Sequence, residues 1–413
     1  MSTTAIQVAL RQIVKLPSLP ILPARPNLQG NTWIVPGSSS TRPLWFDGRF
    51  LAAVDVKREQ DYFLDRQASI AKAAGFGVMH GLLVEQGTTN GAPDTESIVV
   101  HAGDGITPSG KLVMIASDLT IQLADIPDEE NLNEQFGLSE AAQQPSRTRT
   151  GIYVIALRPV EFTANPVSSY PAGLQSPRVT QDGNIVEATA VSLVEYPNPV
   201  SSYDPSQQQA ALARQIFLSG DAGTLSDSLL PLAMISIDRD AIQWVDPYLV
   251  RRDSGPQNSD VQLSLPDPAV QQAYFLQYDA RLQAVAAPFL NATPPQKAVF
   301  AATDYFQALP PAGRFPMDAI DVYFPPQMNT TFTQIPADEL PAVLEDAMSL
   351  PAIDLTLPAA AYANISIYTL QAVPRQPAGS GAAATYGFYV RRRSEPVFPS
   401  FSTMPPTTTT PGP

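Results

Sequence analysis

Proline occupies 42 of the 413 positions, about twice its usual share, and the prolines are spread along the whole chain. Each one removes a backbone donor and locks φ, so a long-helix architecture cannot run through such a sequence. Short strands joined by ordered loops remain. The length is enough to bury a real core, in two or three domains. Charge is scarce at 15% of residues, and the formal balance is −14. A net anion repels phosphate backbones and anionic lipid, which argues against nucleic-acid binding and membrane adhesion. No cysteine is present, which excludes disulfides and thiolate chemistry. No window approaches the roughly 20 apolar residues that span a bilayer, so no membrane insertion is expected. The opening "MSTTAIQVALRQIVKLPSLP" lacks an unbroken apolar core and a small-residue cleavage site, and is not expected to be a signal peptide.

Residues 1–40 are expected to form an extended arm. Ile6, Leu10, Ile13 and Val14 could line one side of a short helix, and "LPSLPILPARPNLQG" is too rich in proline to be anything but extended. An apolar arm with little to bury against itself docks on its own body or on a neighbour. The stretch "WFDGRFLAAVDVKREQDYFLDRQ", Trp45 to Gln67, reads as a turn followed by a helix. Asp-Gly tolerates a left-handed backbone. From Ala53 to Ala74 no Pro or Gly interrupts, and Gly75 and Gly77 stop the helix. Val56, Phe63, Ile70 and Ala74 fall on one face. Lys57 with Asp61 and Arg58 with Tyr62 sit four apart along the flank. The helix is therefore expected to pack its apolar face on a sheet and to turn its charges toward solvent or a partner.

The expected fold class is α+β and β-rich: an amphipathic helix packed on a central antiparallel β domain, then a smaller α+β domain, with an extended N-terminal arm and a C-terminal tail. Residues 41–253 would form the helix plus β core, 254–268 a linker, 269–393 the α+β domain and 394–413 a Pro/Thr-rich tail. Within the core, "GVMHGLLVE", "SIVVHAGDGITPSGKLVMI", "LTIQL", "GIYVIALRPVEF" and "ATAVSLVEY" read as strands, the last two as a pair. "LLPLAMISIDRDAIQWVDPYLVRR" reads as a hairpin turning near Asp238-Arg239-Asp240. The hexamer "NPVSSY" occurs twice, at Asn165–Tyr170 and Asn198–Tyr203, as a duplicated edge element or by coincidence. Further on, "DPAVQQAYFLQYDARLQAVAA", "PPQKAVFAATDYFQAL" and "PADELPAVLEDAMSL" read as helices, the last with Asp338 and Glu339 in its first turn. "IDVYFPP" reads as a short strand, and "ANISIYTLQAV" and "TYGFYVRRR" as paired strands.

The chemistry on offer is thin. "GITPSGKL", Gly105 to Leu112, has the spacing of a phosphate loop, but Leu112 replaces the hydroxyl and the following residues are strand-like, so a hairpin turn is expected. His80 and His101 are the only histidines, and with no cysteine they make no tetrahedral metal set. "DIPDEENLNEQ" lacks the spacing of a calcium loop, and no Gly-x-Ser-x-Gly elbow occurs. Arg251-Arg252 and Arg391-Arg392-Arg393 read as solvated strand ends. The aromatic pieces "DYFQAL" and "YGFYV" read as core. No catalytic residue, cofactor or metal is expected.

The stretch behind Trp45 resembles a structural protein family of contractile phage tails and related bacterial injection systems. Members carry an aromatic-Phe-x-Gly-(Arg/Gln)-Leu-Leu-Thr-Ala-Glu-Asp-Phe run, then a Glu-Gln-x-Tyr helix ending in Leu-His-Gly-x-Gly-Val-Val-x-Gly-Leu. The matching residues are Phe46, Gly48, Arg49, Leu51, Asp55, Glu59, Gln60, Tyr62, Gly75, Gly77, Val78, Gly81 and Leu82. Further family-like segments are "GDGITPSGKLVMI", "LPLAMISI" leading to "YLVRR", and "YFQALPPAGRFP" leading to "VYFPP". Ala52 and Val54 replace the family's Thr and Glu, and Ala73-Ala74 its Leu-His pair. The resemblance implies a non-enzymatic baseplate or tail-appendage component. It would act by protein–protein assembly with other tail or baseplate proteins, in several copies or as a homo-oligomer, in a particle assembled in the host bacterial cytoplasm. Trp45, Phe46, Arg49, Lys57, Arg58, Glu59 and Tyr62, with Ile6, Leu10 and Ile13 of the arm, are the candidate partner-binding residues. The alternatives are a peripheral receptor- or glycan-binding tail protein and, from another class, a polysaccharide hydrolase using a carboxylate pair.

Overall fold

The computed structural model describes residues 27–29, 32–34, 42–126, 148–168, 179–197, 204–219, 225–254, 267–326, 328–357, 364–370 and 386–392. The chain divides into two compact units, Met1–Ile70 and Ala71–Pro413. It is α+β, and among the described residues the sheets are antiparallel except for one pair of strands.

In the first unit, β1 (Asn27–Gln29) and β2 (Thr32–Ile34) form a small hairpin inside the expected arm. A turn closes at Asp47-Gly48, where the Arg49 N–H donates to the Phe46 carbonyl at 3.1 Å. Gly48 takes a φ of 89° there, which favours glycine. Helix α1 (Ala53–Ala74) has the expected bounds, but its packing differs from expectation. None of its residues is buried. Val56, Phe63 and Ile70 recur only every seventh position, which makes a stripe too narrow for a core-facing helix, where three or four apolar residues per two turns are needed.

The second unit begins with two three-stranded sheets. One orders β3 (Gly77–Gly81), β6 (Gly103–Ile106) and β7 (Leu112–Ile115); the other orders β4 (Val84–Thr89), β5 (Ala92–Val100) and β8 (Leu119–Gln122). A four-stranded sheet follows, in the order β10 (Thr180–Tyr196), β9 (Gly151–Ser168), β11 (Leu230–Asp238), β12 (Ala241–Asp246). Side chains alternate across its faces. Ile155, Leu157 and Leu193 pack with Val78, Val84, Ile98 and Val113, while Ile152, Val154 and Ala156 pack with Leu212, Ala213 and Ile216. The latter three belong to α2 (Pro205–Ser219), a helix the sequence reading did not anticipate. Its start was legible: the Asp204 carboxylate accepts from the Gln207 N–H at 2.8 Å, and Pro205 opens the first turn. The β11–β12 turn lies where expected, with Arg239 and Asp240 at φ of 50° and 63°. The first "NPVSSY" begins within β9, and the second lies outside the described residues.

Toward the C-terminus, α3 (Pro268–Leu290) is capped by the Asp267 carboxylate, which accepts from the Ala269 N–H. It lies against an aromatic core that includes Phe300, Phe306, Phe315, Tyr323, Phe324 and Tyr389. The helix expected over "PPQKAVFAATDYFQAL" is reduced to α4 (Ala302–Tyr305), followed by β13 (Ala308–Leu309). Ala298 and Phe300 are buried with the exposed Val299 between them, an alternation that fits extended chain. "IDVYFPP" is not a strand: the Val322 and Tyr323 N–H groups both donate to the Ala319 carbonyl, and this turn buries Tyr323 and Phe324. Helix α5 (Leu340–Met348) starts after Asp338 and Glu339 rather than with them. Two-residue β16 (Ile353–Asp354) pairs with β13. The last sheet orders β14 (Ala312–Pro316), β18 (Tyr386–Arg391), β17 (Asn364–Leu370) and β15 (Asn329–Ile335). β17 and β18 pair as expected, whereas β15 runs parallel to β17. Gly313 is required in β14, because a Cβ there would stand 2.7 Å from the Tyr278 ring and 2.8 Å from the Tyr389 hydroxyl.

Candidate interaction site

The turn and α1 place Trp45, Phe46, Arg49, Lys57, Arg58, Glu59 and Tyr62 within one short segment of chain. Ile6, Leu10 and Ile13 lie outside the described residues. Arg49 is the hub. Its Nη1 donates to the Leu44 carbonyl at 2.6 Å, and its Nη2 to Asp55 Oδ1 at 2.7 Å. Its guanidinium stands 5.2 Å from the centre of the Trp45 ring. Trp45 Nε1 donates to Glu59 Oε2 at 3.1 Å, and Arg58 lies 3.7 Å from the same Asp55 oxygen that Arg49 holds. Further along, the guanidinium groups of Arg42 and Arg66 each stand 5.9 Å from the Tyr62 ring, and Tyr62 meets Phe63 edge-on. Asp55 is the residue that ties turn to helix, and the sequence reading passed over it as a partner of Arg49. The sign was there: an acid in the first helical turn, three residues before Arg58 and just behind an aromatic-glycine turn.

These polar contacts hold the segment from within and leave its apolar side chains outside. Of the nineteen large apolar residues that are exposed among the described residues, nine lie between Leu44 and Ile70. Phe50 is 93% exposed and Ile70 70%. Arginine here neutralises carboxylates and stacks on rings.

Other positions singled out by sequence resolve into structure. "GITPSGKL" is the hairpin turn between β6 and β7: the Gly110 N–H donates to the Thr107 carbonyl at 2.8 Å, and the Thr107 N–H to the Lys111 carbonyl at 2.9 Å. His80 Nδ1 is 3.1 Å from Asp104. His101 lies 3.0 Å from Asp118 and 3.5 Å from Glu85, and the hydrogen bond with Asp118 holds its pKa above the ordinary value. Among the described residues no group of three or more His, Asp or Glu is placed to hold a metal, and no helix is long and apolar enough to cross a membrane. Arg251-Arg252 is not a solvated strand end. The Arg252 guanidinium stands 5.3 Å from the Phe217 ring centre, and burial lowers its pKa to about 10. Arg391 donates to the Pro351 and Ala352 carbonyls at 2.9 and 2.7 Å.

No protein-family model and no curated protein matches the chain. Among solved structures it is similar to a crystal structure of TssK, with a TM-score of 0.28 and 12% identity over 60% of this chain and 48% of that one. It is also similar to the type VI secretion system TssK–TssF–TssG baseplate subcomplex seen by cryo-electron microscopy, with a TM-score of 0.25 and 14% identity over 60% and 71%. A third similar structure is a baseplate complex from the type VI secretion system, at 0.25 and 13% over 60% and 68%. The chain thus spans about half the length of the first TssK chain. Similarity at this level transfers neither a fold nor a function.

Proposed function

We propose that this chain is a structural subunit of the baseplate region of a contractile tail or injection system, and that it works by protein–protein assembly. The observation that carries the reading is the turn and α1: a helix of 22 residues with none buried, preceded by a turn with exposed Trp45, Phe46, Phe50 and Leu51 and braced by the Arg49–Asp55 pair. Leaving this much apolar side chain in water is costly, at about 25 cal/mol per Å², and a partner that covered it would remove that cost. The same stretch, through Phe46, Gly48, Arg49, Leu51 and Asp55, carries the resemblance to tail and baseplate proteins. The proposed partners are neighbouring subunits of the particle, with several copies of the chain present and the particle assembled in the bacterial cytoplasm. Ile6, Leu10 and Ile13 of the arm take the same role on the strength of their spacing.

The test is incorporation. Particles are purified from a host carrying the native gene cluster with a tagged copy of this chain, either wild type or with Phe50→Asp and Ile70→Asp together. Wild type is expected in the particles. The double variant is expected to melt at the wild-type temperature and to be lost from them. Absence of the wild type, or normal incorporation of a folded variant, overturns the reading.

A further inference from the structure

The four-stranded sheet is not supported equally along its length. β11 pairs with β9 only from Gly151 to Leu157, whereas β9 and β10 stay paired out to Ser168 and Thr180. From Arg158 onward no third strand among the described residues joins these two, which form a ribbon. On β9 that ribbon is eleven residues, Arg158 to Ser168, roughly 35 Å at the usual rise of about 3.3 Å per residue. Among the described residues, β10 is an edge of the sheet along its whole length. Near the base, the Met114 N–H of β7 donates to Thr189 Oγ1 at 3.0 Å. A two-stranded ribbon is marginal on its own in water, and its outer N–H and C=O groups are a template for another strand.

Charge decides what that template accepts. β10 carries Asp182, Glu187 and Glu195 and no Lys, Arg or His. Glu187 stands directly across from Glu161 of β9, a like-charge pair that weakens the ribbon. Two residues from Glu187, on the same face, Ile185 is 68% exposed. Edge-to-edge pairing with a second copy of this chain would set acid beside acid, so the complementary occupant is cationic and comes from elsewhere.

We propose that the outer edge of β10 is a strand-docking site for an extended segment of another protein, with Lys or Arg facing Asp182 and Glu187 and apolar residues between them. Backbone pairing supplies the affinity, and the two cations supply the specificity. Asp182 and Glu187 are five positions apart, so the two basic residues of the partner share that offset. The site does not depend on the assembly reading of α1, since it involves a different surface and a different kind of contact.

The full-length protein is titrated with a fluorescent nine-residue peptide of alternating Val and Thr bearing Lys at its third and eighth positions, and with the same peptide bearing Glu. The Lys peptide is expected to bind about tenfold more tightly, from two favourable cross-strand charge pairs in place of two repulsive ones. Asp182→Lys with Glu187→Lys, both at exposed positions, should invert that preference. Backbone N-methylation of the Lys peptide should abolish binding. If the Lys and Glu peptides bind alike, or neither binds, the acids serve only to keep the edge solitary and the proposal falls. Undiminished binding of the methylated peptide would overturn strand addition.

Discussion

The two longest helices are nearly equal in length and opposite in use. α1 has 22 residues and buries none of them; α3 has 23 and buries seven. Ala273, Tyr274, Gln277, Tyr278, Leu282, Val285 and Ala286 cover a broad face of α3. Tyr278 donates to the Arg314 carbonyl and meets the Tyr323 hydroxyl at 2.6 Å. Gln277 donates to Asp246 at 3.0 Å, beside Gln209 of α2 at 2.6 Å. Arg314 pairs with Asp279 on the same helix, and Arg214 of α2 reaches Asp354 at 2.6 Å. α3 is therefore held by its surroundings, while α1 is braced by its own turn. An uninterrupted helical pattern tells only that a helix forms; the width of its apolar face tells whether it belongs to a core.

The largest break in that contrast is expected at Asp246. It is buried, and its carboxylate accepts from Gln209, Gln277 and the Tyr248 and Leu249 N–H groups. Asp246→Ala leaves four donors facing nothing, and should cost about 3–5 kcal/mol, read as a lower urea midpoint at unchanged m-value. Desolvation raises the Asp246 pKa above its ordinary value despite those donors, so the folded state holds its proton more firmly than the unfolded state. The stability contributed by that proton is full below the ordinary carboxylate range and is lost as pH rises through the raised value. Asp246→Asn, accommodated by flipping the two glutamine amides, should remove this part of the pH dependence.

A paired substitution sharpens the comparison directly. Leu282→Ala in α3 should cost about 2–5 kcal/mol, whereas Ile70→Ala in α1 should stay within about 0.5 kcal/mol, both read from thermal or urea melts. Equal losses would show that α1 is a core helix after all. Arg49→Ala is expected to lower global stability by no more than about 1 kcal/mol, yet to speed protease cleavage within residues 44–52, since the turn loses its brace. The smallest effect lies off both helices, at His101. Its folded pKa is raised by the hydrogen bond with Asp118, so its contribution is full below the ordinary histidine value of about 6.5 and fades as pH rises through the raised value. His101→Gln should flatten the pH dependence of melting in that window.

Local chemistry was legible wherever one signal dominated. The Pro- and Gly-free run bounded α1, Asp267-Pro268 opened α3, and Asp238-Arg239-Asp240 turned β11 into β12. Trp45, Arg49 and Glu59, three of the candidate partner-binding residues, stand in contact with one another. Illegible were the features set by distant partners. Helical propensity in "QKAVFAATDYF" yields to an aromatic core that buries alternate residues, and β15 joins its sheet only because β17 is there to receive it. The Asp246 cluster gathers residues from α2, β12 and α3, which no spacing rule connects.

By itself, the sequence determined the composition of the answer. Pro205 and Pro268 opened helices, Asp47-Gly48 and Gly110 placed turns, and its alternating apolar runs became β-sheet, because φ restriction and side-chain period act within a few residues. The tertiary structure decided burial. Which apolar stripe is covered, which arginine loses its water and which strand edge stays open depend on groups brought together from far along the chain, and desolvation is a property of that gathering.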